Sequence, residues 1–175
     1  MIKSVESYIR YFDGIRRRTL NFARAIPPDK IDWAPAEDEF SLGDILRHLA
    51  GIEAITIHAV VKGVWQTYPG HDSSLAHDLD EILSLLEETH TNTMSMLRGL
   101  PDAELAQPRP AITGEPTKAW GLLMAIIEHE IHHRSQLASY LTMLGIEPPQ
   151  IYGLGVEDVA TLSAQQAESN RETQS

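Results

Sequence analysis

Four stretches of this chain carry apolar residues at three- and four-residue steps, and none alternates apolar and polar residues long enough to make a convincing strand. Within 4–26, Tyr8, Phe12, Ile15, Thr19, Phe22 and Ile26 share one face, and Pro27-Pro28 ends the stretch. Proline lacks an N–H and disfavours helix in the residue before it. A second stretch, 41–62, opens on Ser41-Leu42-Gly43-Asp44, with serine and aspartate placed as a capping box. The third, 78–97, has Glu81 in the matching position after Asp78 and is stopped by Gly99 and Pro101. The fourth, 117–144, closes at Gly145 and Pro148-Pro149. Four helices of roughly 20–28 residues, about 30–40 Å each, predict an all-α fold, a four-helix bundle. The links 27–40, 63–77 and 99–116 are long enough to run the length of a bundle, so simple up-down-up-down order is not required. Residues 1–153 are expected to form the bundle; within 154–175, 156–166 reads as one short helix and 168–175 as a disordered polar tail.

Composition narrows the classes. A length of 175 residues suits one domain. The 42% apolar content is too high for a disordered chain, and no run approaches the ~18–20 apolar residues of a membrane span. The chain has no cysteine, which excludes a disulfide scaffold, a thiolate metal site and a cysteine nucleophile. Fourteen basic against 25 acidic residues give a net charge of −11, which opposes phosphate contacts, so no nucleic-acid partner is expected. The opening Met1-Ile2-Lys3-Ser4-Val5-Glu6 has no apolar signal core, and the expectation is a soluble cytoplasmic protein without a membrane partner.

The informative residues are histidines on faces that should be apolar. The inward stripe of the fourth helix collects Leu122, Ile126, His129, His133, Gln136, Tyr140 and Leu144. In the second helix His48 shares a face with Ile45, Ile52, Ile55 and Ala59. An imidazole buried without a partner costs a few kcal/mol, and a divalent metal removes that cost, because neutral imidazole is the commonest metal ligand. The i, i+4 pair His129/His133 brings two rings to one side of the helix, and His48 on a facing helix completes a three-histidine set. Each also has a blander reading as a core histidine bonded to a carbonyl or water. His90, on the inward face of the third helix, reads as a buried polar contact; His58, His71, His77 and His132 read as solvated or local. Asp44, Glu53 and Gln136 are candidate acceptors for the ligands' second nitrogens, with Glu53 pointing away from His48 on the helical wheel. The run Arg16-Arg17-Arg18 reads as a solvated helix face, and Arg134 has no assigned role.

His129-Glu130-Ile131-His132-His133 formally matches H-E-x-x-H, the zinc-protease helix in which the glutamate is general base. Against it stand the charged neighbours Glu128 and Arg134, the lack of any later histidine and the lack of a substrate-binding sheet. The wider string His129-Glu130-Ile131-His132-His133-Arg134-Ser135-Gln136-Leu137, followed by Leu144-Gly145 and Pro148-Pro149-Gln150-Ile151-Tyr152-Gly153, resembles the DinB/YfiT-like superfamily of bacterial metalloproteins. So do Trp33-x-Pro35, Phe40-Ser41, Leu46-Arg47-His48-Leu49-Ala50 and Glu53 upstream; Ser135 departs from the family's usual glycine.

That resemblance implies up-down-down-up helix order and a metal held by His48, His129 and His133. It also implies thiol-dependent S-transfer as the leading reaction class, with a low-molecular-weight thiol as cosubstrate acting on a small molecule. Metal-dependent hydrolysis is the alternative, and a stress-linked metal-binding protein is the non-enzyme rival. Nitrogen ligands without thiolates admit Zn first, then Ni, Fe, Co or Mn. The face of the fourth helix opposite the histidines carries Trp120, Met124, Ile127, Ile131 and Ala138. A helix apolar nearly all round is either central in its bundle or covered by a partner; relatives of this type are often homodimers, and a homodimer is expected here.

Overall fold

A computed structural model describes residues 2–173. It contains α1 (Val5–Arg24), α2 (Leu42–Lys62), α3 (Leu79–Arg98), α4 (Ala119–Met143) and α5 (Val156–Thr173). Short 3-10 turns lie at Pro28–Lys30 and Asp102–Ala106. The helix starts follow local chemistry. Ser41 and Asp44 close the expected capping box on α2, each accepting from the other's backbone N–H. Asp78 caps α3 by accepting from Glu81 N at 2.9 Å, while the Glu81 carboxylate reaches past the cap to His77 N at 2.6 Å. Gly63, at φ 74°, ends α2 in the left-handed region.

Cross-helix contacts fix the order. Arg47 on α2 donates to Ala76 O just before α3, and Glu53 further along α2 meets His90 well inside α3, so these two helices run parallel. Arg24 meets Glu87 while Asp13 meets His90, which makes α1 and α3 antiparallel. His48 meets His129 while Ile52 and Thr56 lie with Ile126 and Leu122, so α2 and α4 are antiparallel. The result is the up-down-down-up bundle, with the 63–78 link running back along its length. α4 packs between α1 and α2. Ile127 is buried against α1, with Ile131 left partly exposed, so the apolar circumference of α4 has an explanation within one chain.

Two secondary-structure elements differ from the sequence reading. The third link contains an antiparallel hairpin, β1 (Pro108–Pro110) with β2 (Pro116–Lys118). Its three-residue arms are too short and too proline-rich to show alternation. The last helix continues to Thr173, through part of the expected disordered tail; Gln174 and Ser175 lie outside the described residues. Every α5 side chain that is described is exposed. No helix among the described residues is long and apolar enough to cross a membrane.

The core is divided in two. One apolar cluster joins the end of α1 to the starts of α2 and α3 and the end of α4; the other occupies the opposite end. Between them, at the waist, lies a buried polar layer. The Arg16 guanidinium, 2% exposed, places Nη2 2.5 Å from Glu53 Oε2 and 2.9 Å from Glu130 Oε2. Glu53 Oε1 accepts from His90 Nδ1 at 2.9 Å and from the Thr93 hydroxyl, and His90 Nε2 reaches Asp13 Oδ1 at 2.9 Å. The solvated face expected for Arg16-Arg17-Arg18 therefore holds only for Arg17; Arg16 points into the bundle. Burial pushes the Glu53 carboxyl up, but Arg16 together with the His90 and Thr93 bonds outweighs it and holds the group below its ordinary value. Burial opposes a charged His90, yet its bonds to Glu53 and Asp13 raise it above the ordinary imidazole value. Burial dominates at Glu130, whose carboxyl is raised despite Arg16.

Removing one member of a buried charge pair strands the other, at a cost of about 3–5 kcal/mol. Arg16→Met is accordingly expected to lower unfolding free energy by about that amount in urea titrations. A loss under about 1 kcal/mol would show that the pair behaves as a surface contact.

Candidate metal centre

On α4 the 3.6-residue period turns Glu130 toward α1 and its neighbour His129 toward α2. His129 and His133, one turn apart, face His48 of α2. His48 Nε2 lies 3.0 Å from His129 Nε2, which lies 3.2 Å from His133 Nε2. Among the described residues this is the one group of three or more His, Cys, Asp or Glu side chains whose donor atoms could hold a metal ion. All three rings are partly buried. The set picked out by helical periodicity is thus brought together.

The donor set fits a cation. The Gln136 amide nitrogen donates to the Tyr140 hydroxyl at 3.0 Å, which turns its Oε1 toward His133 Nδ1 at 2.9 Å. His133 Nδ1 therefore carries the proton, and in the neutral ring Nε2 presents a bare lone pair to His129. A single proton on His129 Nε2 can bridge to one neighbour but not to both. A cation at the point of convergence satisfies all three nitrogens at once. With metal–nitrogen bonds of about 2.0–2.1 Å, nitrogens meeting at a right angle lie about 2.9 Å apart and at the tetrahedral angle about 3.4 Å. The observed 3.0 and 3.2 Å fall inside that window.

The electrostatics agree. Burial, then the neighbouring His133 and His71, pushes His48 down to about 4. Burial, then His133, His48 and His132, does the same to His129, also to about 4. Burial lowers His133 against the opposing Gln136 bond. The rings are held neutral at pH 7, the state a metal ligand needs.

Of the candidate supporting acceptors, Gln136 takes that role. Asp44 is occupied by its cap and by Arg47, and Glu53 turns to Arg16 and His90. The expected buried polar contact of His90 is present. Two groups were missed. Tyr68 OH lies 2.7 Å from His48 Nδ1 and 3.3 Å from His71 Nδ1, so a residue of the long link orients the α2 histidine and His71 stands behind it. A signal for this contact lies in Gly51: a Cβ there would come 2.9 Å from the Tyr68 ring, so the glycine leaves the space in which the phenol sits. His71, read as local, also lies against Phe40, with ring centroids 4.2 Å apart. Arg134 is buried beside α1, on the side of α4 away from the histidines. Beside His129 an apolar cavity of about 220 Å³ opens between α2, α4 and the hairpin.

Glu130 also decides between the two motif readings. In the zinc-protease helix the glutamate is the general base beside the ion; here it pairs with Arg16 on the opposite side of α4. A waist-level three-histidine cluster in an up-down-down-up bundle defines instead a class of helical proteins with an interior donor set. The DinB family matches residues 1–172, and the chain belongs to that family. It is 24% identical over 140 residues to the uncharacterized protein YjoA of Bacillus subtilis, spanning 78% of this chain and 88% of YjoA. The crystal structure of YjoA superposes with a TM-score of 0.67 at 22% identity, covering 83% of this chain and 96% of that one. A DinB-like protein from Bacillus cereus gives 0.71 at 17% identity over 86% and 99%. YfiT of B. subtilis gives 0.67 at 15% identity over 82% and 89%, and is described as a probable metal-dependent hydrolase with an unusual four-helix bundle topology.

The histidine shifts set a pH dependence for the metal-free protein. Imidazoles of the unfolded chain titrate near 6.5; those of the folded chain, at about 4 for His48 and His129, do so lower. Between these values the unfolded state binds more protons, so stability is full above about 6.5 and falls as the pH drops toward 4. Urea midpoints measured from pH 7 to 4.5 are expected to decline, and His48→Gln to decline less steeply. Equal slopes in parent and variant would contradict the assignment.

Proposed function

We propose that this chain is a cytoplasmic metal-dependent enzyme in which His48, His129 and His133 hold one divalent cation, Zn first and Ni, Fe, Co or Mn as alternatives. The observation that carries this reading is the convergence of three neutral Nε2 atoms beside a cavity. Three protein ligands leave coordination positions open, the pattern of catalytic rather than structural sites. When bound, the cation supplies positive charge that makes a thiol or a water molecule nucleophilic at neutral pH. Tyr68 and Gln136 hold the His48 and His133 rings in register, and the apolar wall beside His129 positions a small electrophile and keeps water away from it. Thiol-dependent S-transfer leads: the chain contains no cysteine, so a sulfur nucleophile would come from a low-molecular-weight thiol. Hydrolysis is the second reading, supported by the description of the structurally similar YfiT. We further propose a homodimer, which exposed apolar side chains of the C-terminal segment such as Tyr152 and Val156 support.

Elemental analysis is expected to find close to one divalent ion per chain in the parent and almost none in His129→Ala. Parent protein that takes up no metal after reconstitution would overturn the reading. In the cobalt-substituted protein a free thiol such as glutathione is expected to change the visible spectrum. A spectrum that answers only to azide favours the water-activating enzyme, and one that answers to neither identifies a structural site.

A further inference from the structure

We infer that the cavity beside His129 is a pocket for a small uncharged molecule built around a single apolar ring; its role as the substrate pocket rests on the metal-dependent reading above. The walls argue for an apolar occupant. Ile52 of α2, Trp65 of the second link and Leu122 and Ile126 of α4 form its sides, and Ile112 of the hairpin tip closes its rim. His129 is a lining residue as well as a member of the tri-imidazole cluster, so an occupant lies directly against the candidate ligand set.

Charge argues for a neutral occupant. Aspartate, glutamate, lysine and arginine are all missing from the lining; its polar side-chain groups besides His129 are the hydroxyls of Thr56 and Thr113 and the indole N–H of Trp65, which is already tied to Pro110 O. The lining itself offers an entering ion no counter-charge, and giving up hydration without one is costly; only an anion that reached a metal at the histidine cluster would find one. The nearby cation Arg109, in β1, is already tied: its Nε donates to Val60 O at 2.7 Å and its Nη2 to Glu104 at 2.7 Å. Two hydroxyls and no charge suit a ligand with one polar substituent, such as an alcohol, ether or carbonyl.

Volume sets the size. An apolar cavity of about 150 Å³ is known to take benzene, so about 220 Å³ is enough to hold a ring with a short substituent. The rim is preorganised: Trp65 Nε1 donates to Pro110 O at 2.8 Å, and Ala111 N donates to Glu115 O at 2.9 Å across the hairpin tip. A rim held by such bonds does not have to order itself when the ligand enters.

The test uses three probes of one shape and different charge, benzyl alcohol, benzylammonium and benzenesulfonate, titrated against metal-loaded protein by ligand-observed NMR. Metal per chain is measured on the same samples. Benzyl alcohol is expected to bind at least tenfold more tightly than either ion. Ala125→Phe, at an exposed position on the cavity rim, is expected to abolish its binding with metal content unchanged. Equal binding of all three probes, no binding of benzyl alcohol, or full binding by Ala125→Phe overturns the inference, whatever the metal content. Protein that binds the neutral ring selectively but holds no metal overturns the metal-dependent function and leaves the pocket assignment standing.

Discussion

The guanidinium of Arg16, enclosed between the carboxyl groups of Glu53 and Glu130, is the interaction on which the rest of the bundle depends. A charge taken out of water in the middle of a small domain is tolerated only where opposite charge meets it. Those partners come from two other helices, while His90 and Asp13 extend the contact to α3 and back to α1. All four bundle helices are tied at one level, and two apolar clusters fill the ends on either side. The approach of Glu130 to Arg16 goes with the rotation of α4. With Glu130 turned to α1, His129 and His133 must face α2, where His48 meets them. The ionic layer and the imidazole cluster are therefore two sides of one waist, one buried for good and the other bordered by a cavity open to small molecules.

Where local chemistry fixes an outcome, the amino-acid sequence was enough to read it. Ser41 with Asp44 marks the start of α2, and prolines and glycines mark the ends of the bundle helices. The histidine cluster was legible because an i, i+4 pair on an apolar stripe is anomalous under any packing. Arg16 was not legible: three consecutive arginines look solvated, and the Glu53 that buries one of them lies 37 residues away. Tyr68 was hidden for a similar reason. A long link shows no periodicity, and only the small side of Gly51 hints that something packs there. The β1–β2 hairpin has proline in both arms and is held from outside by Trp65, which donates to Pro110 O, and by Val60, whose carbonyl accepts from Arg109, so its pairing is a tertiary matter.

The same rotation of α4 explains why a formal H-E-x-x-H string does not place its glutamate beside the histidine cluster here. The spacing of the histidines is preserved, but their glutamate serves the bundle rather than the site. The chain has no cysteine, and an apolar cavity lies beside its histidine donor set. The chain belongs to the DinB family, and Tyr68, Gln136 and His71 stand around its histidine cluster.

The central claim is that a cation gathers the three imidazoles. X-ray absorption at the metal edge of the loaded protein tests it most directly. The account predicts a first shell containing three imidazole nitrogens at about 2.0–2.1 Å, with the outer-shell scattering that rigid histidine rings produce. A shell made of oxygen atoms alone, without imidazole scattering, would place the ion elsewhere and contradict the account.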